Sequence, residues 1–170
     1  MQTLVNLLPD IERLGSREAV RWSNGFRTWI ATYTELYGKI GAVVDDFDRR
    51  GIRKGDRVLI QAENRLEWMA VFWACIARGV EAVPVDYRFS PDLVERIRIE
   101  SRPKLIIDDP ALDAIAALPP NTRFNPTEVT PDDIVEIVYT SGTTGEPKGV
   151  VHRHRNICSN LRPFRKEITK

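Results

Sequence analysis

One stretch of eleven residues carries most of the chemistry that this sequence offers. It runs from position 139 to 149, and its sequence is Tyr-Thr-Ser-Gly-Thr-Thr-Gly-Glu-Pro-Lys-Gly. Its glycines allow backbone angles that other residues avoid, so several N–H groups can turn toward one point and bind an anion. Hydroxyl side chains and a flexible lysine add further donors, so the stretch predicts a cradle for a polyphosphate. The candidate binding residues are Thr140, Ser141, Gly142, Thr143, Thr144, Gly145 and Lys148.

The spacing of this stretch differs from that of the common phosphate loop. That motif has Gly, four residues, and then Gly-Lys-Ser/Thr at the start of a helix. Here two residues separate Gly142 from Gly145, and Lys148 is followed by another glycine. A β-branched run at 134–139 precedes the stretch and two valines follow it, so we expect the loop to join two strands. The alternative from composition is an ordinary hairpin loop rich in Gly, Ser and Thr.

The stretch also resembles the phosphate loop of the adenylate-forming (AMP-binding) enzymes. These include acyl- and aryl-CoA synthetases, firefly luciferase and the adenylation domains of peptide synthetases. Their loop has the form Tyr-Thr-Ser-Gly-Thr-Thr-Gly-x-Pro-Lys-Gly, and residues 139–149 match it at every fixed position. The resemblance implies that the loop grips the β and γ phosphates of ATP, and that one hydroxyl reaches Mg²⁺. Because the candidate loop offers few apolar anchors, we expect it to become ordered when nucleotide binds.

Two weaker stretches support the same resemblance. Residues 31–36, Ala-Thr-Tyr-Thr-Glu-Leu, resemble a family motif that opens a helix, and residues 76–86 resemble one in which a glycine and a strand lead to Pro and Asp. The sequence around 79–91 is more similar to acyl-CoA synthetases than to peptide-synthetase adenylation domains. The resemblance therefore implies a fatty acid–CoA ligase, which joins a fatty carboxylic acid to ATP as an acyl-adenylate and then transfers the acyl group to coenzyme A.

Several parts that the family needs are absent from the 170 residues. They are the Thr-Glu pair that helps to hold magnesium, the Asp that grips the ribose, and the lysine of a mobile C-terminal domain. We therefore expect residues 1–170 to be the N-terminal part of an adenylation domain, with no catalytic residue and no metal ligand assigned in it. By itself this part is expected to be inactive and to self-associate through exposed apolar surface, around Trp68, Met69, Phe72 and Trp73 and along residues 134–139.

The rest of the chain predicts the scaffold. Strand-like and helix-like segments alternate, which is typical of an α/β fold with a largely parallel sheet and helices on both faces. The proline-rich residues 119–131 are predicted to be an internal linker. A proline in the short strand 82–85 indicates a sheet end or edge. Helices are predicted at 4–14, 34–50, 65–78, from Ser90, at 111–118 and from near Asn156.

Composition excludes several other classes of protein. The formal net charge is +1, with basic and acidic residues interspersed, so nothing indicates a nucleic-acid partner. The sequence has no apolar run long enough to span a bilayer and no signal-peptide pattern at its start. Cys75 and Cys158 are interpreted as reduced thiols. These features favour a cytoplasmic protein.

Some alternatives remain open from the sequence. His152, His154 and Cys158 are close enough to suggest a metal site, although polar residues at a strand end are the more ordinary interpretation. Another adenylate-forming activity is possible, either an aryl-CoA ligase or a peptide-synthetase adenylation domain. The chain is otherwise a stand-alone, non-catalytic module that binds a nucleotide or phosphate.

Overall fold

The strands form a five-stranded sheet and a separate antiparallel hairpin, in a computed structural model that describes residues 2–23, 25–141 and 147–168. The description leaves out the side chains of Ser141 and of residues 162–168. The helices are α1 (Leu8–Leu14), α2 (Tyr33–Arg49), α3 (Leu66–Arg78), α4 (Pro91–Ser101), α5 (Asp109–Ala116) and α6 (His154–Ile168), and a 3-10 turn at Leu4–Leu7 precedes α1. The strands are β1 (Glu18–Ser23), β2 (Thr28–Thr32), β3 (Arg57–Ile60), β4 (Glu81–Pro84), β5 (Leu105–Ile107), β6 (Ile134–Ser141) and β7 (Pro147–Arg153).

The large sheet has the strand order β5-β3-β4-β6-β7. The first four strands are parallel, and β7 runs antiparallel to β6. This confirms the prediction of an α/β fold with a largely parallel sheet. Pro84 is the last residue of β4, as expected for a sheet end, but β4 lies in the middle of the sheet, so the edge alternative was wrong.

Each face of the sheet is covered by helices, as predicted. On β3, Val58 and Ile60 belong to the large core that includes residues of α2 and α3. Leu59 points to the opposite face, where it packs in a second cluster with Ile97 of α4. Successive side chains of a strand alternate between faces, so three consecutive apolar residues indicate a strand buried on both sides.

Helix α2 is held at its start by a capping box. The hydroxyl of Thr32 accepts from the backbone N–H of Glu35 at 3.2 Å, and the Glu35 carboxylate accepts from the N–H of Thr32 at 2.7 Å. This arrangement satisfies two N–H groups that a helix leaves without an internal partner. It also explains why the Thr-Tyr-Thr-Glu sequence opens a helix.

The predicted linker, residues 119–131, lies across α2. The N–H of Asn121 donates to the carbonyl of Gly38 at 2.9 Å, and the rings of Phe124 and Tyr37 have centroids 5.1 Å apart. A glycine at position 41 of α2 permits this close approach, because a Cβ there would lie 1.9 Å from the carbonyl oxygen of Asn121. The connection between α5 and β6 is thereby packed against the main core.

The apolar side chains of α3 are less exposed than predicted. Trp68, Met69, Phe72 and Trp73 are half-buried and pack against the main core, so each leaves only part of its side chain exposed. Residues 134–139 are buried or half-buried as well. Larger exposed fractions belong to Phe26 between β1 and β2 and to Ile99 of α4, and on the edge strands to Ile106 of β5 and to Val150 and Val151 of β7. Within the described residues, no helix is both long and apolar enough to cross a membrane.

Candidate phosphate-binding site

The candidate loop lies at the end of the β6–β7 hairpin. Thr140 pairs with Lys148 and Ser141 with Pro147 in the antiparallel register. The prediction that the loop joins two strands is therefore confirmed. Four of the predicted binding residues, Gly142, Thr143, Thr144 and Gly145, lie outside the described residues.

The structure brings together two of the predicted side chains. Thr140 and Lys148 are directly opposite each other and both are exposed. Side chains of directly opposed residues leave the sheet on the same face, with Cβ atoms about 5 Å apart. A hydroxyl and an ammonium group therefore leave the same face at the open end of the hairpin. This donor set suits the oxygens of a phosphate chain.

Buried residues fix the hairpin just before the loop. Tyr139 is 7 % exposed and packs with Ile137 and with Ile97 of α4. Burial, and then the nearby Glu100 carboxylate, raise the pKa of Tyr139, while Arg57 opposes them, so the phenol stays neutral. Tyr139, the first residue of the motif, is thus packed against α4 and holds the end of the hairpin in place.

A cleft lies at the same edge of the sheet as the loop. It has a volume of about 350 Å³ and is lined by residues that follow β3 and β4, by Trp68 of α3 and by Val138 of β6. Ligands of open α/β sheets bind outside the carboxyl ends of the strands, which is where this cleft lies. The lining residues are Ala62, Asn64, Trp68, Pro84, Val85, Asp86, Tyr87, Arg88 and Val138.

The residues that line this cleft were not predicted from the sequence to have a chemical role. Two polar residues at strand ends could have indicated it. Asp86 lies two residues after the end of β4, and Asn64 lies between β3 and α3. Hydrogen bonds from Arg88 lower the pKa of Asp86 to about 2, so the carboxylate is ionised and held against the arginine. Asp86 and Arg88 are therefore both charged at physiological pH.

The two histidines serve different contacts. His152 pairs through Nδ1 with the carboxylate of Glu136 at 2.9 Å across the hairpin. His154 is 1 % exposed, and its Nδ1 accepts from the backbone N–H of Leu4 at 3.1 Å. Cys158 is buried in the small cluster that contains Leu4. Within the part of the chain that the structure describes, no three His, Cys, Asp or Glu side chains are grouped as metal ligands.

The basic residues at the end of β7 and the start of α6 are used in structural contacts. Arg153 donates to the carbonyl of Asp132, and Arg155 pairs with the carboxylate of the same residue. The N–H of Arg155 also donates to the carbonyl of Pro131 at 2.9 Å. These contacts hold the start of α6 against the turn that precedes β6, at the end of the hairpin opposite the candidate loop.

A largely parallel, helix-covered sheet with a hydroxyl- and lysine-bearing hairpin at its edge defines an α/β protein. Residues 10–169 match the model of the protein family described as AMP-binding enzyme. The chain belongs to this family.

Two relatives and one solved structure illustrate what this chain is similar to. The chain is 33% identical over 153 residues to the long-chain-fatty-acid–CoA ligase FadD13 of Mycobacterium tuberculosis, covering 75% of this chain and 30% of the ligase. It is 30% identical to the fatty acid–[acyl-carrier-protein] ligase ScoC of Streptomyces coeruleorubidus, covering 74% of this chain and 28% of that protein. The crystal structure of a fatty acid AMP ligase from Legionella pneumophila shares the fold, with a TM-score of 0.83 and 24% identity over 95% of this chain and 32% of that one. The chain thus spans less than a third of the length of each.

Proposed function

We propose that residues 1–170 are the N-terminal part of the adenylation domain of an ATP-dependent ligase for carboxylic acids. One observation carries the proposal: Thr140 and Lys148 face each other at the end of a hairpin inside a domain of the AMP-binding enzyme family. The remaining proposed phosphate-binding residues are Ser141, Gly142, Thr143, Thr144 and Gly145.

The proposed role of the loop is electrostatic. In adenylation, a carboxylate attacks the α phosphate of ATP and pyrophosphate leaves. Lys148 holds and neutralises the distal phosphates, and the hydroxyl of Thr140 donates to them. Donors that are already in place stabilise charge without reorganising during the reaction. The Mg²⁺ ion that accompanies ATP supplies further positive charge to the same phosphates.

We propose a fatty acid as the acid substrate. The relatives from Mycobacterium tuberculosis and Streptomyces coeruleorubidus are both named as fatty acid ligases. They differ in the named thiol acceptor, which is coenzyme A for the first and an acyl carrier protein for the second. Coenzyme A is the proposed acceptor here, because residues 79–91 are more similar to acyl-CoA synthetases than to peptide-synthetase adenylation domains.

The experiment measures the two half-reactions of the full-length protein separately. Exchange of labelled pyrophosphate into ATP reports adenylation, and thioester formation is followed with coenzyme A and, in parallel, with acyl carrier protein. Fatty, aryl and amino acids are compared as substrates. We expect fatty acids to support exchange and coenzyme A to accept the product.

Residues 1–170 alone provide the complementary test. They contribute groups for the distal phosphates, whereas catalysis needs the α phosphate, the acid and magnesium aligned within a fraction of an ångström. We expect no exchange above background from this part alone. Exchange by residues 1–170 alone would contradict the proposal that they contribute only the groups for the distal phosphates. Nucleotide binding without exchange by the full-length protein would favour a non-catalytic nucleotide-binding module.

A further inference from the structure

His154 connects the N-terminal turn Leu4–Leu7 to α6 through its ring. The N–H of Leu4 donates to Nδ1 of His154 at 3.1 Å, across 150 residues of sequence. A ring nitrogen accepts a hydrogen bond only when it carries no proton. This contact therefore requires a neutral imidazole with its hydrogen on Nε2.

The turn depends on tertiary contacts for its position. It is a 3-10 turn of four residues, and the hydrogen bonds within such a short turn are too weak to hold it in place alone. Leu4 is tied down by packing with Ile76 of α3, Val135 of β6 and Cys158 of α6, in a cluster separate from the main core. The bond to His154 is formed at this same cluster.

The charged groups around His154 come from two neighbouring segments. The carbonyl of Asp133 accepts the His154 N–H at 3.1 Å, and the Asp133 carboxylate pairs with Lys54, from the connection between α2 and β3, at 2.7 Å. The Asp132–Arg155 ion pair lies beside them, and Cys158 lies one turn further along α6.

Burial dominates the balance of these groups. It lowers the pKa of His154 from its ordinary value, Asp133 raises it, and Lys54 lowers it. Asp133 and Lys54 carry opposite charges and form an ion pair, so their effects on the pKa of His154 partly cancel. His154 is therefore neutral at pH 7, and its bond to Leu4 is intact.

We propose that protonation of His154 releases the turn Leu4–Leu7 from α6, so that this segment is docked at neutral pH and detached in acid. A proton on Nδ1 would place two donors opposite each other where the bond now lies. Release of the turn would uncover Val135, which belongs to the strand that carries the phosphate loop, and the thiol of Cys158.

Amide hydrogen exchange at Leu4 in the full-length protein tests the proposal. The measurement is made from pH 8 to pH 5 without nucleotide, corrected for the intrinsic pH dependence of exchange. The His154 ring is titrated in parallel by NMR with labelled histidine. We expect constant protection of Leu4 until the ring titrates, followed by a fall of up to about tenfold per pH unit, in step with the loss of neutral imidazole.

A matched pair of variants separates the ring from other titrating groups. In His154→Asn, the side-chain oxygen takes the place of Nδ1 as an acceptor that does not titrate, so the protection of Leu4 becomes independent of pH. His152→Asn, at the other histidine, leaves the wild-type profile unchanged.

Three results would overturn the proposal. They are constant Leu4 protection while the His154 ring titrates, a His154→Asn profile that keeps the wild-type pH dependence, and a ring that stays neutral down to the pH of global unfolding. The first and third are read from the wild-type protein and need no variant to fold. Because no nucleotide is present, the outcome is independent of the proposed ligase activity.

Discussion

Gly149 of β7 lies directly opposite Tyr139 of β6, and the tyrosine ring fills the space where a side chain of residue 149 would start. A Cβ at Gly149 would lie 3.1 Å from Cζ of Tyr139 and 2.9 Å from Cγ2 of Ile137. The last glycine of the motif thus has a packing role. It lets Tyr139 lie across the hairpin, next to the residues proposed to bind phosphate.

Replacing Gly149 with alanine should strain the hairpin. The new methyl group displaces Tyr139 and Ile137, and overpacking of this kind costs about 1–3 kcal/mol. We expect the free energy of unfolding, measured in urea, to fall by that amount. Val150→Thr, a substitution at the neighbouring exposed position, should change it by less than about 0.5 kcal/mol. Equal stability of Gly149→Ala and wild type would contradict the packing role.

Lys148→Ala should weaken adenylation more than thioester formation in the full-length protein. The β and γ phosphates take part only in the first half-reaction. A hydrogen bond to a charged group contributes about 1.5–3 kcal/mol, which predicts a loss of about ten- to a hundredfold in pyrophosphate exchange. Lys104→Ala is the control, because Lys104 contacts Gly51 and Asp56 far along the chain from the loop. Equal losses in the two half-reactions would argue against the assignment of Lys148.

Gly41→Ala should detach the 119–131 connection from α2. Its methyl group would meet the backbone oxygen of Asn121 at 1.9 Å and the ring of Phe124 at 2.8 Å. Backbone cannot yield as a side chain can, so we expect a loss of about 1–3 kcal/mol or more in unfolding free energy.

Gly38→Ala gives a graded comparison on the same helix. Its methyl group would lie 2.9 Å from Cβ of Pro120 and 3.8 Å from the nearest backbone atom of that proline. We expect a smaller loss than at Gly41, measured by the same urea titration. The reverse order would show that the connection is not held where the structure places it.

Asp133→Asn should remove a pH-dependent contribution to stability. The ion pair with Lys54 and the N–H of Thr130 lower the pKa of Asp133. The stabilisation is therefore fully present above the unfolded carboxyl pKa, about 3.9, and is lost as pH falls through the lower folded value. Since both side chains are partly exposed, we expect less than about 1 kcal/mol at pH 7.

The asparagine variant is informative because it keeps an oxygen for the Thr130 N–H while losing the charge. The stability difference between wild type and variant, measured by urea unfolding at several pH values, should shrink below about pH 4. A difference that stays constant down to pH 2 would point to a packing effect instead. Asp132→Asn, at a more exposed carboxylate, is the comparison.

Residues 1–170 on their own should self-associate through β7. Val150 and Val151 are 45% and 43% exposed on the last strand of the sheet, and exposed apolar strand edges favour pairing with other chains. We expect sizing measurements to show concentration-dependent association that the Val150→Thr/Val151→Thr variant reduces. A monodisperse monomer at high concentration would rule this out.

Local patterns were sufficient to predict most elements of the fold. Ser90 begins α4 with its hydroxyl accepting from Leu93, and Gly79 ends α3 in the left-handed conformation, with φ of 64°. Both signals act within a few residues, which is why the sequence reveals them. Helix α6 begins at His154, two residues earlier than predicted, because backbone contacts to residues 131–133 fix its start.

Long-range contacts were not predictable from the sequence. Nothing local indicates that His154 is buried against Leu4, that Asn121 meets Gly38, or that the proline-containing strand β4 lies in the middle of the sheet. The motif indicated Thr140 and Lys148 as candidate binding residues, whereas their face-to-face arrangement follows from the strand register. The cleft beside them depends on which strands are neighbours, and that order is set by the whole core.

The strand order also determines the sequence in which the sheet can be assembled during synthesis. Strand β4 is made early, yet its neighbour β6 follows only after α4, β5 and α5, and Leu4 waits for His154, which is 150 residues further on. Domains emerge N-terminus first, at about 5–20 residues per second. At that rate the turn Leu4–Leu7 is made about 8–30 seconds before His154, so its buried contacts with α6 form late in the synthesis of these residues.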